Sequence, residues 1–104
     1  MITKLMKSLP PTFVNVTPDV VIRQSVANDP NTPPEVLTQL ACDDDMVVRQ
    51  SVASNPHTPP ETLTKLSTDI DGWVRHGVAG NPSTPPETLV QLDALEAAYQ
   101  VTES

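Results

Sequence analysis

The sequence predicts an all-α repeat protein, and two observations carry that expectation. A phrase recurs every 26 residues, and each copy holds two short helical patterns separated by proline-marked turns. Arg23, Arg49 and Arg75 stand 26 residues apart within VIRQSVANDPNTPPEVLTQL, VVRQSVASNPHTPPETLTKL and WVRHGVAGNPSTPPETLVQL. Residues 21–46 and 47–72 are identical at 16 of 26 positions, and residues 47–66 and 73–92 at 13 of 20. A fixed period of this size marks units too small to bury an apolar face alone, which therefore stack on their neighbours.

One helix of each unit is expected to start at TPPE. Thr32, Thr58 and Thr84 take the N-cap position in this reading, with Glu35, Glu61 and Glu87 three residues later as in a capping box. The two prolines then fall where a missing N–H costs nothing, and glutamate suits the positive end of the helix dipole. Leu37 and Leu40, Leu63 and Leu66, and Leu89 and Leu92 follow at i, i+3, forming one narrow inward stripe. The first two such helices should end near Ala41 and Ser67, before the acidic turns Asp43-Asp44-Asp45 and Asp69-Ile70-Asp71-Gly72.

The second helix of the unit is expected at about Val47 to Ser54, with Val48, Val52 and Ala53 on one side and Arg49 and Gln50 on another. Proline disfavours helical geometry in the residue before it, so Asp29, Asn55 and Asn81 mark turns in which their short side chains satisfy nearby backbone groups.

These residues resemble the leucine-rich repeat variant family of bacterial proteins, whose units read roughly VRxxVAxNPxTPPExLxxLAxD. The likeness covers residues 20–92 and is specific because the whole phrase recurs three times. It implies alternating α- and 3₁₀-helices without strands, and so a short right-handed α-solenoid of three two-helix repeats, each an α-helix plus a short α- or 3₁₀-helix. The family's iron–sulfur cluster sits in a cysteine-rich N-terminal segment. Residues 1–20 here contain no cysteine, and that cofactor is not expected.

The organisation read from the chain is one domain, 1–104. Residues 1–20 form a degenerate N-terminal cap, in which Leu9-Pro10-Pro11-Thr12-Phe13-Val14 is a worn TPPExL. Residues 21–46, 47–72 and 73–92 are the repeats, and residues 93–104 extend the last helix through Leu95, Ala98 and Tyr99 with charges outward. At 104 residues, folding buries about two thirds of the surface that the extended chain exposes. With Phe13, Trp73 and Tyr99 as the sole aromatic residues, the core must be Val, Leu, Ile and Ala.

Charge and cysteine usage narrow the function classes. A formal net charge of -7 opposes direct binding to phosphate backbones, which requires clustered Lys and Arg, and favours a basic partner. A single cysteine, Cys42, excludes an internal disulfide and a multi-cysteine metal centre and suits a reducing compartment. No stretch approaches the roughly 20 apolar residues of a membrane span, nor is there a signal-like run, so the expected location is the cytoplasm.

Six residues are the candidates for a protein-binding face: Arg23, Arg49, Gln50, Trp73, Arg75 and His76. The arginine ladder is either a row of donors for an acidic or carbonyl-rich partner or a set of ties to Asp43, Asp45, Asp69, Asp71 or a TPPE glutamate. Recurrence in step with the repeat favours the ties. Trp73 replaces Val21 and Val47 at the equivalent position, either filling a wider gap in the third layer or, if exposed, serving as a binding anchor. The Asp69-Ile70-Asp71-Gly72 turn lacks the further oxygen ligands of a calcium loop, and neither histidine has the partners of a catalytic triad in its sequence neighbourhood.

The expected function is therefore that of a non-enzymatic protein-interaction module or scaffold without a cofactor. The alternatives are a small acidic inhibitor that imitates nucleic acid, with Asp43, Asp44, Asp45, Asp69 and Asp71 as its contact groups, and a self-associating protein that packs through its end faces, Phe13 or Tyr99.

Overall fold

The computed structural model describes residues 19–103, with side chains for residues 19–98. Six helices follow one another: α1 (Val20–Asn28), α2 (Pro34–Leu40), α3 (Met46–Ser54), α4 (Pro60–Leu66), α5 (Gly72–Ala79) and α6 (Pro86–Glu103). Among the described residues every element is α-helical, so both halves of a unit are α and the shorter half is a seven-residue helix in α2 and α4. Helices α1, α3 and α5 stack side by side, while α2, α4 and α6 line the other side, and each helix also touches the next in sequence. The result is an all-α repeat solenoid.

Helices α1, α3 and α5 start where Asp19, Asp45 and Asp71 accept hydrogen bonds from the backbone N–H of Val21, Val47 and Trp73, at 2.9, 2.9 and 2.8 Å. Two of those carboxylates belong to the acidic turns, so part of the negative charge there is helix-capping charge. The layer between the helix rows is aliphatic. Ala27, Leu37, Leu40, Val48, Val52, Ala53, Leu63, Val74 and Val78 are fully excluded from solvent, with Val36, Leu66 and Leu92 nearly so. Gly77 sits where α5 meets α3, since a Cβ there would come within 3.0 Å of the Ala53 Cβ.

Two local expectations are corrected. The TPPE threonines are not N-caps: Pro33 and Pro59 hold that position with φ -59° and no side chain bonds the first turn of α2 or α4. The cause is the second proline, which forces the residue before it out of helical geometry and pushes the threonine one position further out. Thr32, Thr58 and Thr84 instead donate backwards to the carbonyls of Val26, Val52 and Val78, at 2.6, 2.7 and 2.7 Å. Each thereby adds a second bond to a carbonyl near the end of the preceding helix that already accepts the backbone N–H of Asp29, Asn55 or Asn81. The leucine stripe also breaks in the third copy, where Leu89 is 36% exposed while Leu37 and Leu63 are fully buried. Those two are covered by the following α3 and α5, and among the described residues no such helix follows α6.

The residues before proline do more than close turns. Asn55 and Asn81 use the side-chain oxygen locally, accepting from His57 and Ser83 N–H, both at 2.9 Å. Their amide nitrogens reach into the preceding unit. Asn55 donates to the carbonyls of Ala27 and Asp29 at 2.8 and 3.1 Å, and Asn81 to those of Ala53 and Asn55 at 2.7 and 2.9 Å. Asp29 keeps the local bond, to Asn31 N–H, but carries no amide with which to donate. N55A and N81A should each cost about 2 kcal/mol, because the Ala27 or Ala53 carbonyl loses its buried amide donor and the Asp29 or Asn55 carbonyl keeps only a backbone N–H. D29A, which removes one exposed local bond, should cost about 0.5 kcal/mol; thermal unfolding followed by circular dichroism ranks the three.

Candidate interaction surface

The arginine ladder is assembled by the repeat itself. Arg23 Nε donates to Asp43 at 2.8 Å, and Arg49 Nε donates to Asp69 at 2.8 Å, each aspartate lying 20 residues later at the end of the same unit. Arg49 also reaches back to the carbonyls of Asp43 and Asp44 at 2.8 and 3.1 Å, and Arg75 to the carbonyl of Asp69 at 2.7 Å. Each of these two guanidiniums therefore joins its own unit to the turn that precedes it. The hydrogen bond with Asp69 holds Arg49 above the usual arginine pKa against the opposing effect of burial, with the charges of Asp69, Asp71 and Asp43 adding to the rise.

The third unit keeps this device with different residues. Position 95, equivalent to Asp43 and Asp69, is Leu95, and the helix continues instead of turning. Glu96 supplies the carboxylate, accepting from Arg75 Nε at 2.6 Å. The acidic turns are built in the same economy. Asp43 and Asp69 serve the arginines and also accept from the N–H of Asp45 and Asp71, while Asp45 and Asp71 cap helices. Asp44 and Ile70 occupy the exposed middle of each turn, Ile70 at 89% exposure.

Trp73 does not fill a gap in the third layer. Its side chain is 63% exposed on α5 and meets the His76 ring edge to face, at 6.3 Å between centroids and 84° between planes. One turn apart on the same helix, the two rings border a shallow open depression completed by Asp71 and Gly72. Val21 and Val47 hold the same helical position on α1 and α3 and are exposed as well, giving a column Val21, Val47, Trp73 along the stack. Gln24, Gln50 and His76 run parallel to it three residues on, the glutamines half-buried and the histidine exposed.

Of the six residues expected on a binding face, Trp73 and His76 are brought together at the surface and Gln50 is half-buried at the equivalent of His76 on α3, whereas Arg23, Arg49 and Arg75 lie in bonds within the chain. The surface also includes Val21, Val47 and Ile70, which are not among those six. The signal for Ile70 was present, as an isoleucine between two turn aspartates. Phe13 lies outside the described residues, and so does the side chain of Tyr99.

The family model described as Leucine rich repeat variant matches residues 21–45, 47–71 and 72–94. This chain belongs to that family. No curated protein and no solved structure matches the chain. Leucine rich repeat variant units are generally interaction-type repeat modules, and the family is a repeat scaffold rather than a known enzyme family. Among the described residues no group of three or more His, Cys, Asp and Glu side chains is placed to hold a metal ion, and no helix is long and apolar enough to cross a membrane.

The Arg49 tie makes a stability prediction. R49M leaves Asp69, whose side chain is 10% exposed, without its cation and the Asp43 and Asp44 carbonyls without their donor. The loss should be about 2–3 kcal/mol in urea unfolding. Replacing both partners, as R49M/D69L, should recover part of it, because the stranded carboxylate is then gone.

Proposed function

We propose that this leucine-rich repeat variant chain is a non-enzymatic protein-binding module whose contact face is the exposed surface of α3 and α5, centred on Trp73 and His76 with Gln50, Val47 and Ile70 around them. The observation that carries this reading is the exposure of Trp73 at a position where the other two copies carry valine. A large aromatic side chain offers wide contact area at low entropic cost, and such residues dominate binding energy at interfaces. Arg23, Arg49 and Arg75 contribute by fixing the turns and helices that present the face.

Of the carboxylates that a nucleic-acid mimic would display, Asp43 and Asp69 are held in ion pairs with arginines of the chain itself, which leaves only Asp44, Asp45 and Asp71 facing outward, with apolar residues between them. That arrangement supports the docking face over the mimic. Self-association has one observation in its favour, the exposure of Leu89 and Val90 on α6, Val90 at 69%. Sedimentation across a concentration series measures it directly, and a mass that stays at one chain throughout removes it.

The repeat supplies its own controls. W73V and H76Q restore the residues of the first two copies, so both should fold with a Tm within a few degrees of the parent, as surface changes of about 0.5 kcal/mol do. A photo-crosslinking residue placed at position 50 should capture a discrete protein partner in the parent and lose it in W73V. Capture that is unchanged by W73V and by H76Q rules out this face.

A further inference from the structure

Beside the apolar column of Val21, Val47 and Trp73 runs a second, acidic column. Asp19, Asp45 and Asp71 each stand two residues before a member of the apolar column, at the first turn of α1, α3 and α5. One carboxylate oxygen of each is taken by the cap bond, Oδ1 to the N–H of Val21, Val47 and Trp73. The cap bond leaves each aspartate its full negative charge. Asp19 is exposed and Asp45 and Asp71 are half-buried, and Asp71 borders the Trp73–His76 depression itself.

The other charges near this depression nearly cancel in pairs. Arg49 is matched by Asp69, and Arg75, which lies beneath Gly72, is matched by Glu96. Asp44 is exposed in the turn next to Asp45 and adds to the negative side. The surface thus alternates apolar and acidic positions once per repeat, in a chain whose net charge is -7.

We propose that this face binds a cationic segment of a protein partner, with apolar side chains of the segment against Val47 and Trp73 and lysine or arginine side chains against Asp45 and Asp71. The proposal rests on the docking face above and adds the chemistry of its occupant. An exposed indole attracts a cation over its ring face, and a carboxylate at the rim of the same depression adds a charge-assisted bond to it. Apolar anchors by themselves would not select between partners. The acidic column selects, because an acidic segment placed here meets like charge at every repeat.

The test uses the full chain and three blocked, fluorescently labelled peptides that share their leucines and differ only in carrying lysine, glutamine or glutamate between them. Anisotropy should show saturable binding of the lysine peptide, weaker binding of the glutamine peptide and none of the glutamate peptide. Emission from Trp73, the single tryptophan, should change along the same curve. D45N/D71N keeps both helix caps, because asparagine caps as well as aspartate, and should weaken the lysine peptide by about three- to tenfold, as should about 0.5 M salt. Failure of the lysine peptide to bind, equal binding of the glutamine peptide, or indifference to D45N/D71N overturns the cationic occupant. Where the glutamine peptide binds equally and W73V abolishes both, the docking face survives without its charge selectivity. Where W73V binds the lysine peptide as tightly as the parent, the docking face itself falls.

Discussion

The structure depends on the side-chain amides of Asn55 and Asn81. The first helix of a unit ends in carbonyls for which the unit itself supplies at most one donor, and at the seam between units water has little access to them. Each asparagine donates to two such carbonyls of the unit before it while its own oxygen holds the proline turn that follows. One residue therefore closes a turn within its repeat and fastens that repeat to its neighbour. The period of 26 residues follows: the donor must return at the same place in each unit, and an inserted residue between seams would carry it past its carbonyls.

Other contacts repeat at that period and reinforce the seam at different heights. Thr38 bonds Thr62 and Thr64 bonds Thr88, both at 2.9 Å, along the row of TPPE helices. Arg49 and Arg75 join their units to the preceding acidic turns, and between these polar lines lie the aliphatic residues that supply most of the burial energy. Individually the polar contacts are modest. Their value is specificity, since a layer of Val, Leu and Ala tolerates sliding and a row of directional bonds does not. The aspartate at position 29 fits the same logic. Its oxygen closes the same turn, and its carboxylate has no amide to donate.

Much of this was legible in the sequence because repetition separates structural residues from the rest. The period, the two helices per unit, the family and the aliphatic layer all follow from letters that recur. What escaped was the direction in which polar side chains bond. The phrase TPPE reads as a capping box, and only the steric demand of the second proline on the first turns the threonine away from the helix that it precedes. Asparagine before proline reads as a local turn, and nothing in a one-dimensional pattern shows that its amide crosses to residues 26 and 28 positions earlier. Exposure of Trp73 was equally hidden, since a valine-to-tryptophan change in a repeat is compatible with a widened core or a bare surface.

Divergence among the copies is informative only after packing has been subtracted. Gly77 replaces Ser51 where two helices approach closely, and Glu96 replaces the turn aspartate because α6 runs on; both differences are demanded by neighbours within the chain. Val47 against Trp73, Gln50 against His76 and Asp44 against Ile70 have no such demand, and in each the later residue is exposed. These three substitutions fall on α5 and the turn that leads into it, and all three enlarge the side chain or its apolar surface. An isolated change of that kind is ordinary drift on a solvent face. Three together on α5 and the turn before it, against a framework of caps and ties that recurs from copy to copy, are what the proposed docking face requires: a rigid base that each repeat rebuilds, and a few positions free to differ.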